Sequence, residues 1–296
     1  MRLSLGPDLR RGWPTLRDQC LAAAAAGWDG VWLFDHLRVP PDEPSPGFFL
    51  EAWSTLGAVA ALAPGLRVGT LVSANTLRAP PLVAAMALTL HAVSGGRFVL
   101  GLGAGGDEDE HARLGLDFPP IGERLDRLDE ACTVIRRLLS PGPAHVAGRH
   151  YRIDVPETGV AAGVRIPLLV GASGPRGLDI AARHADAWLV WGSVDDMVRL
   201  GATLDARCRA HGRDPATVER GVQVMLEPGD PGPEQRRALA ERWPAVLTGG
   251  PGELVDTLGR YRAAGVGEVV VCDYALPAGR RDDLLSGLLA LARTSQ

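Results

Sequence analysis

The chain contains no lysine: all 31 of its Lys+Arg residues are arginine. That excludes a Schiff-base amine, a lysine general base and a phosphate-loop lysine. Any anion must be held by arginine, backbone N–H groups or hydroxyls. Cysteine is scarce. The four, Cys20, Cys132, Cys208 and Cys272, lie far apart with no Cys-x-x-Cys pair, as expected for buried, reduced thiols in a cytoplasmic protein. No apolar run reaches the roughly 20 residues of a membrane span. The opening MRLSLGPDLRRGW does not read as a signal peptide. The formal net charge of −4 is spread over both halves without a basic patch, so nucleic-acid binding lacks its electrostatic footprint. There is no Gly-x-Ser-x-Gly elbow and no Cys–His nucleophile motif, which leaves covalent hydrolysis without support.

What is present is a globular composition, 46% hydrophobic and 22% charged over 296 residues. Length alone allows two domains, but an α/β barrel of this size forms one. Eight short apolar runs read as strands: 2–6, 31–35, 67–72, 97–102, 167–170, 188–191, 221–226 and 268–272. Helical segments lie between them at 14–26, 49–62, 81–93, 122–139, 178–184, 194–211, 233–247 and 252–264, and a closing helix at 280–292. Repeated strand–helix units demand a parallel sheet with helices outside. Eight units predict an α/β fold, a (β/α)8 TIM barrel over 1–296 with insertions near 141–164 and 228–250. A hairpin is expected at GRHYRIDV within the first insertion. A doubly wound sheet with an added domain is the alternative.

In a barrel, chemistry sits where strands end at the C-terminal face. The second strand runs into Asp35 and His36, a carboxylate and an imidazole suited to acid/base work. A metal site is disfavoured, because the first strand, RLSLG, offers no His-x-His. After the third strand, Ser73, Asn75 and Arg78 are polar groups able to meet the edge of a planar ligand. After the fourth comes GLGAGGDEDEH, whose glycines, with Ala104 and Gly105, permit close approach of backbone to a flat ligand. Four carboxylates follow at once, which argues against a Rossmann phosphate site. The acidic run reads as a solvated loop from which Glu110, Glu108 or the neighbouring His111 reaches the site. After the fifth strand, Gly171, Ala172, Ser173, Gly174, Pro175 and Arg176 form a glycine-rich turn into a helix, the best anion site in the chain. Trp191, at the end of the sixth strand, is a candidate to stack on a cofactor, with Trp53 a further open case; Trp188 reads as packing. The inventory suits a bound organic cofactor that the protein orients.

The segment GRFVLGLGAGGDEDEHARLGLDFPPIGERLDRLDEA resembles the central signature of the luciferase-like monooxygenase family. GTLVSANTLRAPPLVAAMALTLHAVSGGRF, VGASGPRGLDIAARHADAW and LTGGPGELVDTLGRYRAAGVGEVVV resemble its third, phosphate-binding and C-terminal units, so the likeness spans essentially the whole chain. WLFDHL is similar to the Ser-Asp-His motif of the branch that uses the deazaflavin coenzyme F420. The resemblance implies a TIM barrel, F420 as cofactor with FMN as the alternative, and hydride transfer to or from a small organic substrate. It places His36 and Asp35 at the cofactor ring and the cofactor phosphate on Gly171–Arg176. It also implies a non-proline cis peptide at Leu71–Val72. Where many relatives carry Trp or a catalytic Glu, this chain has Gly106. The family's phosphate-side lysine is replaced here by an arginine such as Arg176. An FMN enzyme would be a monooxygenase fed by a separate flavin reductase; a non-catalytic flavin-binding relative is the other alternative. A homodimer is the general expectation, with neither nucleic acid nor membrane as partner.

Overall fold

In the computed structural model the described residues are 1–39, 47–229, 231–274, 276, 285 and 287–290. Eight strands carry the fold: β1 (Arg2–Gly6), β2 (Gly30–Leu33), β3 (Arg67–Thr70), β4 (Phe98–Gly103), β5 (Leu168–Gly171), β6 (Ala187–Trp191), β7 (Glu219–Pro228) and β8 (Glu268–Cys272). Each pairs in parallel with the next, and β8 returns to β1 with Leu5 opposite Val271. The sheet is therefore closed, the (β/α)8 barrel expected from the strand count. The strands read as continuous apolar runs because both faces are covered; all five residues of β8, Glu-Val-Val-Val-Cys, are buried.

The helices in chain order are α1 (Trp13–Ala26), α2 (Ala52–Leu62), α3 (Pro80–Val93), α4 (Glu108–Leu114), α5 (Ile121–Leu138), α6 (Pro175–His184), α7 (Val194–Ala210), α8 (Pro233–Arg242) and α9 (Pro251–Ala263); one face of the sheet packs those with buried sides, whereas α8 buries no residue. Four of them, α3, α6, α8 and α9, begin on proline, whose missing N–H and fixed φ suit the first helical position. The other face fills the barrel with Trp32, Leu71, Val99, Leu169, Ala187, Leu189 and Val270. Trp32 fits because Gly69 has no Cβ; one there would lie 2.4 Å from its ring. The N-terminal end is closed by Glu268, whose carboxylate accepts from Ser4 Oγ at 2.6 Å, Trp32 Nε1 at 2.7 Å and Arg67 at 2.8 Å. These side chains fill that end of the barrel, and the opposite, C-terminal end is where barrel sites lie.

The structure corrects the sequence reading in several places. The segment 233–247 is not one helix: α8 stops at Arg242, because Trp243 precedes Pro244 and is pushed out of the helical region. A short strand, Val246–Gly249, follows and pairs with β7. The helix expected from Phe49 starts at Ala52, where Glu51 caps it. The acidic run is a helix, not a solvated loop. Asp107 caps α4, accepting the Glu110 N–H at 2.8 Å, and carboxylates in a first turn suit the helix dipole. The expected hairpin is present as Ala144–Ala147 paired with Arg152–Val155. Of the closing helix, only 285 and 287–290 are described, and these are helical; the rest lies outside the described residues. No helix among the described residues is long and apolar enough to cross a membrane.

Candidate active site

A cleft of about 650 Å³ opens at the C-terminal ends of β2–β5. Its floor is Leu71 and Val72, joined by a cis peptide bond, at the position the resemblance implied. Val72 is left uncovered by glycines. A Cβ on Gly103 would lie 2.6 Å from Val72 Cγ2, and one on Gly171 would lie 3.0 Å from it. Gly101 has a different reason: its Cβ would sit 2.0 Å from the Thr70 carbonyl oxygen. The expectation that this glycine serves a ligand is therefore corrected; it lets two strands approach. Ile121, Leu125 and Leu128 of α5 form an apolar side wall.

Asp35 lies at the edge of this floor with its side chain 0% exposed. Its Oδ2 accepts from Ser73 Oγ at 2.7 Å and from Arg78 Nη1 at 2.5 Å. Trp53 Nε1 donates to Ser73 Oγ at 3.2 Å, and Arg78 Nη2 reaches Glu51 at 2.7 Å. The ends of β2 and β3 and the start of α2 are thus tied by one polar network. Asp35 Oδ1 is buried and has no hydrogen-bond partner among the described residues. An unpaired buried acceptor is costly, and this one belongs to a residue lining the cleft.

His36, next in the chain, is 47% exposed at the cleft. Its Nδ1 lies 3.1 Å from Glu110 Oε2. A carboxylate only accepts, so Nδ1 carries the proton and Nε2 is the basic atom. Glu110 is held in turn by the N–H groups of Leu37 at 2.6 Å and Arg38 at 2.9 Å. Burial alone would lower the His36 pKa. The hydrogen bond and charge of Glu110, helped by Asp107 and Asp35, outweigh it and hold the imidazole above its ordinary 6.5. Burial likewise opposes ionisation of Glu110, but His36 and the two amides hold it below its ordinary 4.5. Ligand atoms of His36, Asp107 and Glu110 lie within 4.8 Å of one another. Their spacing follows from these hydrogen bonds and the Asp107 cap. His111 plays a structural part: Nδ1 donates to the Asp107 carbonyl at 2.5 Å and Nε2 meets Thr76 Oγ1 at 2.8 Å.

The far end of the cleft is the N-terminus of α6. The N–H groups of Arg176 and Gly177 belong to its first turn, and no acidic residue stands there. The Arg176 guanidinium donates to Asp126 at 2.5 Å and to the Gly122 carbonyl at 3.3 Å.

Of the candidate residues, Asp35, His36, Leu71, Val72, Ala104, Gly105 and Gly171 through Arg176 line this one cleft. Four do not. Ser73 supports Asp35, and Glu110 supports His36 from behind. Asn75 donates to the Tyr151 hydroxyl of the hairpin at 3.1 Å, so it does not edge the cleft as expected. Trp191 stacks on Trp243, centroids 4.9 Å and planes 12° apart, rather than lining the cleft. Ile121, Leu125 and Leu128 were missed as cleft residues. Their helical spacing shows an apolar face but not whether it meets core or cavity.

Residues 3–268 match the family described as luciferase-like monooxygenase. An F420-dependent hydroxymycolic acid dehydrogenase of Mycobacterium tuberculosis is 32% identical over 210 residues, covering 71% of this chain and 58% of the relative. An F420-dependent glucose-6-phosphate dehydrogenase of Microbacterium testaceum is 33% identical over 221 residues, covering 71% and 63% respectively. The match thus spans about six-tenths of these relatives' length. Among solved structures, an F420-dependent secondary alcohol dehydrogenase in complex with an F420-acetone adduct superposes with a TM-score of 0.83 over 99% of both chains at 18% identity. That likeness is one of fold.

Proposed function

The chain belongs to the luciferase-like monooxygenase family, and from that membership we propose that it is a single-barrel, F420-dependent oxidoreductase acting on a small organic substrate. One observation carries the reading. A single cleft joins an apolar floor, an acid/base imidazole at one edge and a helix N-terminus at the other. The relatives named for F420 support the choice of cofactor. The residues fit such a group. The glycines at 103 and 171 leave a flat surface over Val72, Asp35 Oδ1 awaits a donor, and the first turn of α6 suits a phosphate.

When bound, the deazaflavin supplies two-electron hydride chemistry at its ring carbon. The protein does the rest. The α6 N–H groups and Arg176 would hold the phosphate, Leu71 and Val72 would bear the ring, and Asp35 would offer its free acceptor to it. His36 takes or delivers the substrate proton at Nε2, and Glu110 keeps Nδ1 protonated so that Nε2 is the reactive atom. Cytoplasmic residence fits the four buried, unpaired thiols, and a homodimer is the default assembly.

A calorimetric titration with F420 and with FMN tests the proposal. Saturable F420 binding, with FMN at least about tenfold weaker, is expected. Tight FMN binding with none of the deazaflavin would overturn it. In the same titration Arg176→Ala should weaken F420 binding by about 3- to 10-fold, because Asp126 already competes for the exposed guanidinium. Unchanged affinity would move the phosphate away from this loop.

A further inference from the structure

We propose that the substrate is an uncharged molecule bearing an apolar ring, received by an aromatic wall that adjoins His36 at the barrel mouth. The inference rests on reading the neighbouring cleft as the cofactor site.

Five rings run in unbroken contact away from His36. Phe34 lies 6.1 Å from the His36 ring and meets Phe49 edge-on at 4.9 Å and Tyr274 edge-on at 5.5 Å. Tyr274 lies 6.1 Å from Trp243, which stacks on Trp191. The rings come from five separate places: after β2, before α2, the end of β6, after α8 and after β8. Three follow or end barrel strands, which puts the wall on the open face.

These rings are not simply core. Phe34, Phe49 and Trp191 pack partly against the core, but none of the five rings is fully enclosed as Trp32, Trp188 and Phe98 are, each under 2% exposed. The five wall rings are all half-buried. Trp191 pairs in register with Gln223, one step beyond Leu189 and Gly221. Leu189 fills the barrel interior, so alternation turns Trp191 toward the axis as well. Half-exposed rings joined to an acid/base imidazole form a surface for a ligand ring, since aromatic pairs favour edge and offset contacts.

Charge narrows the class. Among the described residues, the arginines near the wall are engaged: Arg78 with Asp35 and Glu51, Arg11 with Asp273, and Arg242 over the Trp243 ring. Carboxylates stand at the mouth instead. Val222, Val224 and Leu226 of β7 pack the outer core, so Glu227 faces inward. Burial raises its pKa above the ordinary value, which suits contact with a neutral partner. A phosphate or carboxylate on the substrate would meet Glu227 and Asp107.

Calorimetry with 1-phenylethanol and with glucose 6-phosphate tests this on the cofactor-free and the F420-loaded protein. The phenyl alcohol should bind both forms, and the sugar phosphate neither. Trp243→Ala should weaken the phenyl alcohol by about tenfold or more while leaving F420 affinity unchanged. If that variant fails to fold, Phe49→Leu carries the same expectation. Binding of glucose 6-phosphate, no binding of the phenyl alcohol, or wild-type binding in the variant would overturn the inference. A wild-type protein that binds the phenyl alcohol but not F420 would sink the cofactor reading and leave the wall standing.

Discussion

Replacing His36 with alanine is expected to lower turnover by about 10²–10⁴-fold, the usual worth of one positioned acid/base group, with F420 affinity unchanged. The split follows from the geometry. Among the described residues His36 Nε2 has no hydrogen-bond partner and Nδ1 alone is tied to Glu110, whereas the floor and the α6 turn hold without it. Turnover measured beside a binding titration decides it; a variant with full activity would remove His36 from the chemistry. Glu110 acts through His36 and is a positioning residue. Glu110→Gln keeps a hydrogen bond but loses the charge that raises the His36 pKa, so the His36 limb of the pH–rate profile should move to lower pH. The pair also links stability to pH. A raised histidine pKa contributes fully below about 6.5 and is lost as pH rises through the folded value; a lowered carboxyl pKa contributes above about 4.5 and is lost as pH falls through the folded value. The pair therefore stabilises the fold most between about pH 4.5 and 6.5, and Glu110→Gln should flatten that part of a thermal-stability profile.

Arg78→Met is expected to destabilise the protein by about 3–5 kcal/mol, the cost of stranding one partner of a buried ion pair. Asp35 is 0% exposed and Arg78 11%, so water replaces little of what is lost. Ser73 would remain as the sole donor to Oδ2 among the described residues, and Oδ1 already has none. The same change releases Glu51, whose oxygens cap α2 through the Trp53 and Ser54 amides. Adding Asp35→Asn should recover much of the stability, since a neutral amide costs less to bury than a carboxylate. Chemical denaturation of the wild type, the single variant and the double variant reads this directly. A loss below about 1 kcal/mol would show the pair behaving as a solvated surface bridge.

The barrel was legible because its signals are local. A strand buried on both faces is a short apolar run wherever it stands, and proline at N1 marks a helix start without reference to the rest of the chain. The glycine turn before α6 was legible for the same reason. The short strand at 246–249 was not. It exists only because β7 extends far enough to pair with it, which four residues cannot announce. The acidic run misled in a related way: carboxylates suit both a wet loop and a first helical turn, and the Asp107 cap decides between them.

The pairing of partners was beyond reach of local pattern. Glu110 meets His36 across 74 positions, and Arg78 meets Asp35 across 43. Asn75 looks like a ligand group in isolation, yet closure brings Tyr151 to it first. The sequence by itself therefore determined the eight units, the absence of any lysine chemistry and the residue types gathered at the open end. Only the tertiary structure decided which of those residues share a cleft, which brace one another and which turn toward the mouth. Strand and helix periodicity is set by neighbours in the chain, whereas contact between side chains is set by how the sheet closes on itself.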